Sequence, residues 1–199
     1  MLTLEDGKLL VRTARRTIET YLRDGKVLPK PDMPHKLLEH RGVFVTLTKK
    51  GELRGCIGHP IPTVSLIEAL IDSAINAATR DPRFPELDLD ELSDVEIEVS
   101  VLTKPEVLKV KHPKEYPSLI VIGRDGLIIE YRDNAGLLLP QVPVEWNWNA
   151  EEFLSNACLK ARLTPDAWLD KGVCVQRFSA QVFSELEPKG MVEERKLAK

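Results

Sequence analysis

Residues 95–102 read Val-Glu-Ile-Glu-Val-Ser-Val-Leu, an alternation with a period of two. Val95, Ile97, Val99 and Val101 must point to one side of an extended chain, and Glu96, Glu98 and Ser100 to the other. This is the cleanest strand in the sequence, and it sets the kind of sheet to look for: one apolar face and one polar face. Residues 43–48 alternate in the same way, Lys49-Lys50-Gly51 supplies a turn, and residues 52–57 return beside them. A second hairpin is expected from residues 119–122 and 127–131 across Arg124-Asp125-Gly126, where Asp-Gly is a turn signal. Hairpin connections mean antiparallel pairing.

Helical patterns alternate with these strands. Residues 3–24 carry an apolar stripe of Leu10, Ala14, Ile18 and Tyr21, with Thr3 as N-cap, Asp6 three positions on, and Gly25 as the stop. Lys8, Arg12 and Arg16, extended by Arg15 and Arg23, read as a solvated basic face of that helix. Pro29, Pro31 and Pro34 force an extended linker. Residues 63–79 form a second helix with Leu66, Leu70, Ala74 and Ala77 inward, after Pro60 and Pro62 break the preceding strand. Asn149 caps a third helix running to about Arg162, and Cys158 falls on its buried face. Trp146 and Trp148 lie in an extended stretch before it and close the core. Residues 173–186 make a last strand region, including a structural Cys174, and 187–199 a charged, frayed tail. The expected fold class is α+β: a mostly antiparallel sheet packed against helices.

With 199 residues the chain buries a substantial core without a disulfide or metal staple. Apolar content of 43% and charged content of 30% describe a folded, soluble chain rather than a disordered one. The apolar runs are too short to span a membrane, and no leader pattern is visible, so a cytoplasmic protein is expected. Three cysteines (56, 158 and 174) without a Cys-x-x-Cys pair read as reduced thiols. A formal charge of −3 disfavours general nucleic-acid binding. The four histidines (35, 40, 59 and 112) show no ligand spacing, so no metal is expected, and no phosphate loop or dinucleotide fingerprint implies a cofactor.

The chemistry concentrates in Leu53-Arg54-Gly55-Cys56-Ile57-Gly58, followed by His59 and Pro60. Gly55 and Gly58 leave room for close approach by backbone, a ligand or a partner. Unbroken alternation puts Leu53, Gly55 and Ile57 on one face and Arg54 with Cys56 on the other, the guanidinium and thiol roughly 7 Å apart. A fixed cation there favours thiolate. The opposite reading is a small residue in a tight turn, since free cysteine packs well as a small hydrophobe. His59 is either a base near neutral pH or a solvated loop residue. Arg54 either binds a carboxylate or phosphate, or pairs with Glu96 or Glu98 across the sheet. In Asp81-Pro82-Arg83-Phe84-Pro85 the prolines stiffen a loop, Phe84 anchors it to the core, and Arg83 can present a charge to a ligand.

These residues resemble the AMMECR-domain family, named after the human chromosomal region where a member was found. The hexapeptide at 53–58 is similar to the family's signature. The similarity extends to residues 81–85, to the strand at 95–102, to Gly136-Leu137-Leu138-Leu139-Pro140-Gln141-Val142, and to the pattern Phe153-Leu154, Cys158, Lys160-Ala161, Leu163 and Trp168. It departs at Arg162, where the family usually has glycine. The resemblance implies one AMMECR-type domain over 1–199 with a larger and a smaller lobe, and a pathway shared with Memo-type and radical-SAM proteins. It implies a fold rather than a reaction.

Two functional readings follow. The first is a binding or regulatory module whose cleft around residues 53–58, with Arg83, Glu96 and Glu98, recognises a small ligand or protein partner. The second is an enzyme using Cys56 as nucleophile or redox thiol, assisted by Arg54 and His59.

Overall fold

The structure, a computed structural model, describes residues 1–61 and 63–195. In chain order the elements are α1 (Leu4–Asp24), β1 (Val43–Lys49), β2 (Glu52–His59), α2 (Leu66–Thr79), β3 (Val95–Leu102), β4 (Glu106–Val107), α3 (Tyr116–Leu119), β5 (Asp125–Tyr131), β6 (Asn134–Leu138), α4 (Val142–Glu145), α5 (Ala150–Lys160), β7 (Cys174–Glu185) and β8 (Val192–Arg195). Every strand pair with a resolved register is antiparallel, and the class is α+β. No helix among the described residues is long and apolar enough to cross a membrane.

The chain forms two compact units. Among the described residues the first takes Met1–Leu102 and 181–195. Its sheet runs β2, β1, β3 and the end of β7, with β8 paired to β7. Leu10, Val11, Ala14 and Ile18 of α1 and Leu66, Ile67, Leu70 and Ala74 of α2 meet the inward residues Val43, Val45, Leu47, Ile97, Val99 and Phe183. The helices form for local reasons. Thr3 and Asp6 make a reciprocal capping box at the start of α1, and Gly25 ends it at φ 65°. The turn between β1 and β2 places Lys50 and Gly51 at positive φ, as a two-residue hairpin needs.

The second unit spans Thr103–Ala180. There β5 pairs with β6 on one side and β7 on the other, while β4 also pairs with β7. Phe153, Leu154, Ala157 and Cys158 of α5 pack on Leu127, Ile129 and Val175 of the sheet, and Trp168 joins them. Cys158 is a sealed core residue, and burial pushes its thiol up to about 11. Asn149 caps α5 by accepting the N–H groups of Glu151 and Glu152.

Several expectations need correction. The second helix starts at Leu66 rather than residue 63, because Ser65 and Glu68 form its capping box; Pro62 lies outside the described residues. Arg15 is buried and is no part of a solvated basic face: it pairs with Glu185 inside the first unit. The hairpin around Asp125-Gly126 does not form. Residues 116–119 are helical, and Asp125 opens β5 while its carboxylate accepts the Val121 N–H at 2.9 Å. The real hairpin turns at Arg132 (φ 54°) and Asp133, between β5 and β6. The stretch before α5 is not extended: Val142–Glu145 is helical. Trp148 packs on the core and Trp146, 68% exposed, stacks over it with centroids 6.1 Å apart. In the C-terminal segment Val192–Arg195 forms a strand against β7, where alternating side chains let Val192 turn inward; residues 196–199 lie outside the described chain.

Candidate functional site

β2 ends the sheet path, with β1 on one side only. Its ladder is interrupted. Leu47 faces Gly55 and Thr48 faces Leu53, which leaves Arg54 as the extra residue of a β-bulge. The bulge shifts the parity by one, so Leu53 joins Cys56 on the Thr46–Thr48 face and Arg54 turns away from the thiol. The expected guanidinium–thiol pair on one face is therefore not formed. Arg54 instead grips Glu91 through Nε to Oε1 at 2.9 Å and Nη2 to Oε2 at 3.0 Å. It also donates to the carbonyls of Pro85 (2.9 Å) and Glu86 (3.3 Å). The Arg54 hydrogen bonds, joined by Lys49 at 3.1 Å, hold the Glu91 carboxyl below its usual range. Neither Glu96 nor Glu98 is the partner of Arg54. Glu96 accepts from the Thr48 hydroxyl at 3.4 Å, and Glu98 pairs with Arg195 at 2.6 Å.

Cys56 is tied to the segment after α2 through its backbone. Its N–H donates to Oδ2 of Asp81 at 2.9 Å, and its carbonyl accepts from Nη2 of Arg83 at 3.3 Å. Asp81, 2% exposed at the side chain, binds Arg83 at both oxygens: Nε to Oδ1 at 2.9 Å and Nη2 to Oδ2 at 2.7 Å. The hydrogen bonds from Arg83 hold the Asp81 carboxyl far below the ordinary carboxylate range, against the opposing effect of burial. The Arg83 side chain remains 54% exposed and lies over the Phe84 ring at 5.5 Å. Phe84 itself is only half-buried, and Leu87 is the residue of this segment that enters the core.

The sulfur of Cys56 accepts from the Thr46 hydroxyl at 3.3 Å. Burial raises its pKa; the Thr46 hydrogen bond and the charge of Arg83 act in the other direction, and the charges of Asp81 and Glu98 reinforce the rise. A thiol in this setting stays protonated at neutral pH.

His59 lies on the opposite face of β2 from Cys56. Nδ1 is 2.9 Å from the Ser73 hydroxyl and Nε2 is 3.3 Å from Asp72, both on α2. Serine, histidine and aspartate thus meet in relay order, but Ser73 is fully buried and its oxygen cannot reach a substrate. Gly55 faces α2 as well: a Cβ there would sit 2.2 Å from the Ala77 carbonyl oxygen. At Gly58 a Cβ would meet the Phe44 ring and the Val43 carbonyl oxygen at 2.4 Å. Both glycines admit protein atoms, not open space. Ile57 packs partly against the core, and Leu53 is exposed.

The structure thus brings Cys56 together with Arg83 and, more distantly, Glu98. It does not join Cys56 to Arg54 or His59. The residues that sequence reasoning missed are Asp81, Glu91 and Thr46. Asp81 had a signal, an acid two positions before an arginine at a helix end. Glu91 had none, being 37 positions from its partner.

This is an α+β protein whose edge strand, carrying a glycine-flanked thiol, is clamped by the segment following its second helix. The chain belongs to the AMMECR1 family, whose model matches residues 11–183. Protein MJ0810 of Methanocaldococcus jannaschii is 56% identical over 99% of this chain and 98% of its own length. Protein PYRAB00100 of Pyrococcus abyssi is 50% identical, with 97% of both chains covered. The crystal structure of the uncharacterized protein PH0010 from Pyrococcus horikoshii matches at a TM-score of 0.89 and 50% identity, covering 97% of this chain and 98% of that one. These relatives carry locus names rather than activities.

Proposed function

We propose that this chain is a binding or regulatory module that recognises an anionic group, on a small ligand or a protein segment, beside residues 53–58. Arg83 makes the contact. The observation that carries this reading is the Asp81 clamp: a buried carboxylate fixes the guanidinium against the Cys56 backbone while over half of the Arg83 side chain stays in solvent. A cation held in place this way loses little freedom when it binds an anion. Glu98 lies on the same side as Cys56, but its charge is taken up by Arg195, so it does not cancel that of Arg83. All three cysteines are free thiols, which fits a reducing, cytoplasmic setting.

The thiol-enzyme reading has less support. Burial raises the Cys56 pKa, and neither Arg54 nor His59 faces the sulfur.

Site-resolved alkylation separates the two in a Cys174→Ser background. The binding reading expects Cys56 to react more slowly with iodoacetamide than a free peptide cysteine at neutral pH. It also expects a preference for anionic iodoacetate over neutral iodoacetamide, relative to free cysteine, that disappears in Arg83→Gln. An iodoacetate preference indifferent to Arg83 overturns the anion site. A Cys56 faster than free cysteine restores the enzyme.

A further inference from the structure

The second unit holds a pocket of about 280 Å³ between β4, the start of β5 and β7. Its wall carries Lys104, Arg124 and Arg177, and the hydroxyl residues Thr103 and Ser179. We propose that this pocket binds the phosphate group of a small molecule, at a site separate from residues 53–58.

Two of the three cations are already positioned. Arg124 donates from Nε and Nη2 to the two oxygens of Asp125 at 2.7 and 2.8 Å. Asp125 is buried and also accepts the Val121 N–H at 2.9 Å, so its carboxylate is committed. The Arg124 side chain stays 56% exposed. Arg177 is held by Glu106 through Nε at 3.2 Å and Nη2 at 3.1 Å, and by the Leu119 carbonyl at 3.1 Å. Lys104 is exposed and makes no ion pair among the described residues. The lining therefore carries three positive and two negative groups, a local excess of one positive charge in a chain whose formal charge is −3.

The hydroxyls add donors. Oγ1 of Thr103 accepts the Ser179 N–H at 2.9 Å and, more weakly, the Ser179 hydroxyl at 3.5 Å, which leaves the Thr103 proton to give. Planar guanidinium groups, a mobile ammonium and hydroxyl donors around a small polar cavity suit a group with three terminal oxygens and up to two charges. The arrangement repeats the logic of Asp81 and Arg83: a buried aspartate orients an exposed arginine.

The test is an amide NMR titration at constant ionic strength, with inorganic phosphate in one arm and glycerol 3-phosphate in the other. Saturable shifts at Thr103, Lys104 and Ser179 are expected. Affinity should fall about tenfold in Lys104→Gln and in Arg124→Gln, each loss being of the size of a charge-assisted hydrogen bond. The tighter arm tells a free anion from a phosphomonoester. Shifts that stay linear with concentration, that survive unchanged in Lys104→Gln, or that appear only at residues 55–58 and Arg83 overturn the proposal. Retained dispersion in the variant spectra shows that the fold is intact.

Discussion

The carboxylate of Asp81 accepts the backbone N–H of Cys56 at 2.9 Å across 25 positions of sequence. The same carboxylate binds Arg83, so one buried group joins the edge of β2 to the segment that covers it. Edge strands expose unpaired N–H and C=O groups that invite pairing with other chains. Here the Cys56 N–H and C=O are both taken. The Arg54 bonds to the carbonyls of Pro85 and Glu86 pin the same segment two residues earlier. The hexapeptide and the 81–91 segment are two halves of one clamp.

That clamp is acid-sensitive. The folded pKa of Asp81 lies below its unfolded value of about 3.9, so its contribution is complete at neutral pH and is lost as pH falls from about 4 through the folded pKa. Glu91, also lowered, adds to the same fall. Asp81→Asn should be less stable than the parent at pH 7, by about 1–3 kcal/mol for the disrupted buried hydrogen bonds. It should lose stability less steeply below pH 4. Urea denaturation at a series of pH values checks this, and parallel curves for the two proteins would contradict it.

Gly55 tests the tight seating of β2 on α2. Gly55→Ala puts a Cβ against a helix carbonyl at 2.2 Å, where backbone must move, and should cost about 1–3 kcal/mol. Gly51→Ala is the control: it has open space and only an unfavourable φ of 80°, so about 1 kcal/mol is expected. Melting temperatures that rank these two in the opposite order would show that α2 can retreat.

How much of this was legible in sequence follows from the range of each interaction. The inward Val95, Ile97, Val99 and Val101 were readable because alternation is local, and so were the caps at Thr3 and Asn149. The parity of β2 was not. The bulge at Arg54 serves Glu91 and the carbonyls of Pro85 and Glu86, none of which is near in sequence. Asp125-Gly126 has the composition of a hairpin turn, yet Asp125 satisfies the turn before β5, and the two signals look alike in one dimension. Of the candidate site, Cys56 and Arg83 each stand in a local motif that sequence makes visible, but their link through Asp81 spans 25 positions and leaves no local pattern.

Arg162 offers a gain in stability. Leu163 donates to the Cys158 carbonyl at 3.0 Å and Arg162 to that of Leu159 at 2.9 Å, which is the Schellman pattern, with Arg162 in the left-handed region at φ 59°. A non-glycine residue pays roughly 1 kcal/mol for that conformation. Arg162→Gly should therefore stabilise the second unit, offset in part by the greater freedom of glycine when unfolded, for a net gain of up to about 0.5 kcal/mol. Hydrogen exchange of the α5 amides should slow accordingly, and faster exchange would mean that the Arg162 side chain contributes more than its backbone costs.

The ion pair of Arg15 and Glu185 should be the most damaging to break. Both side chains are under 10% exposed. Arg15 also donates to the carbonyls of Leu92 (3.2 Å) and Val95 (2.6 Å), and Glu185 accepts the Ile97 N–H at 3.0 Å. The pair thereby fastens α1, β3 and β7 of the first unit together. Removing one partner strands a buried charge and one or two backbone groups, at a cost of about 3–5 kcal/mol. Glu185→Ala should lower the urea midpoint strongly, whereas Lys8→Ala, which loses only the exposed pair with Glu5, should move it by less than about 0.5 kcal/mol. Arg15→Met with Glu185→Leu removes both charges together and should recover part of the loss; it cannot recover all of it, because the Ile97 N–H stays without its side-chain partner and the Leu92 and Val95 carbonyls lose theirs. A double variant no more stable than Glu185→Ala would locate the cost in those backbone groups rather than in the stranded charge.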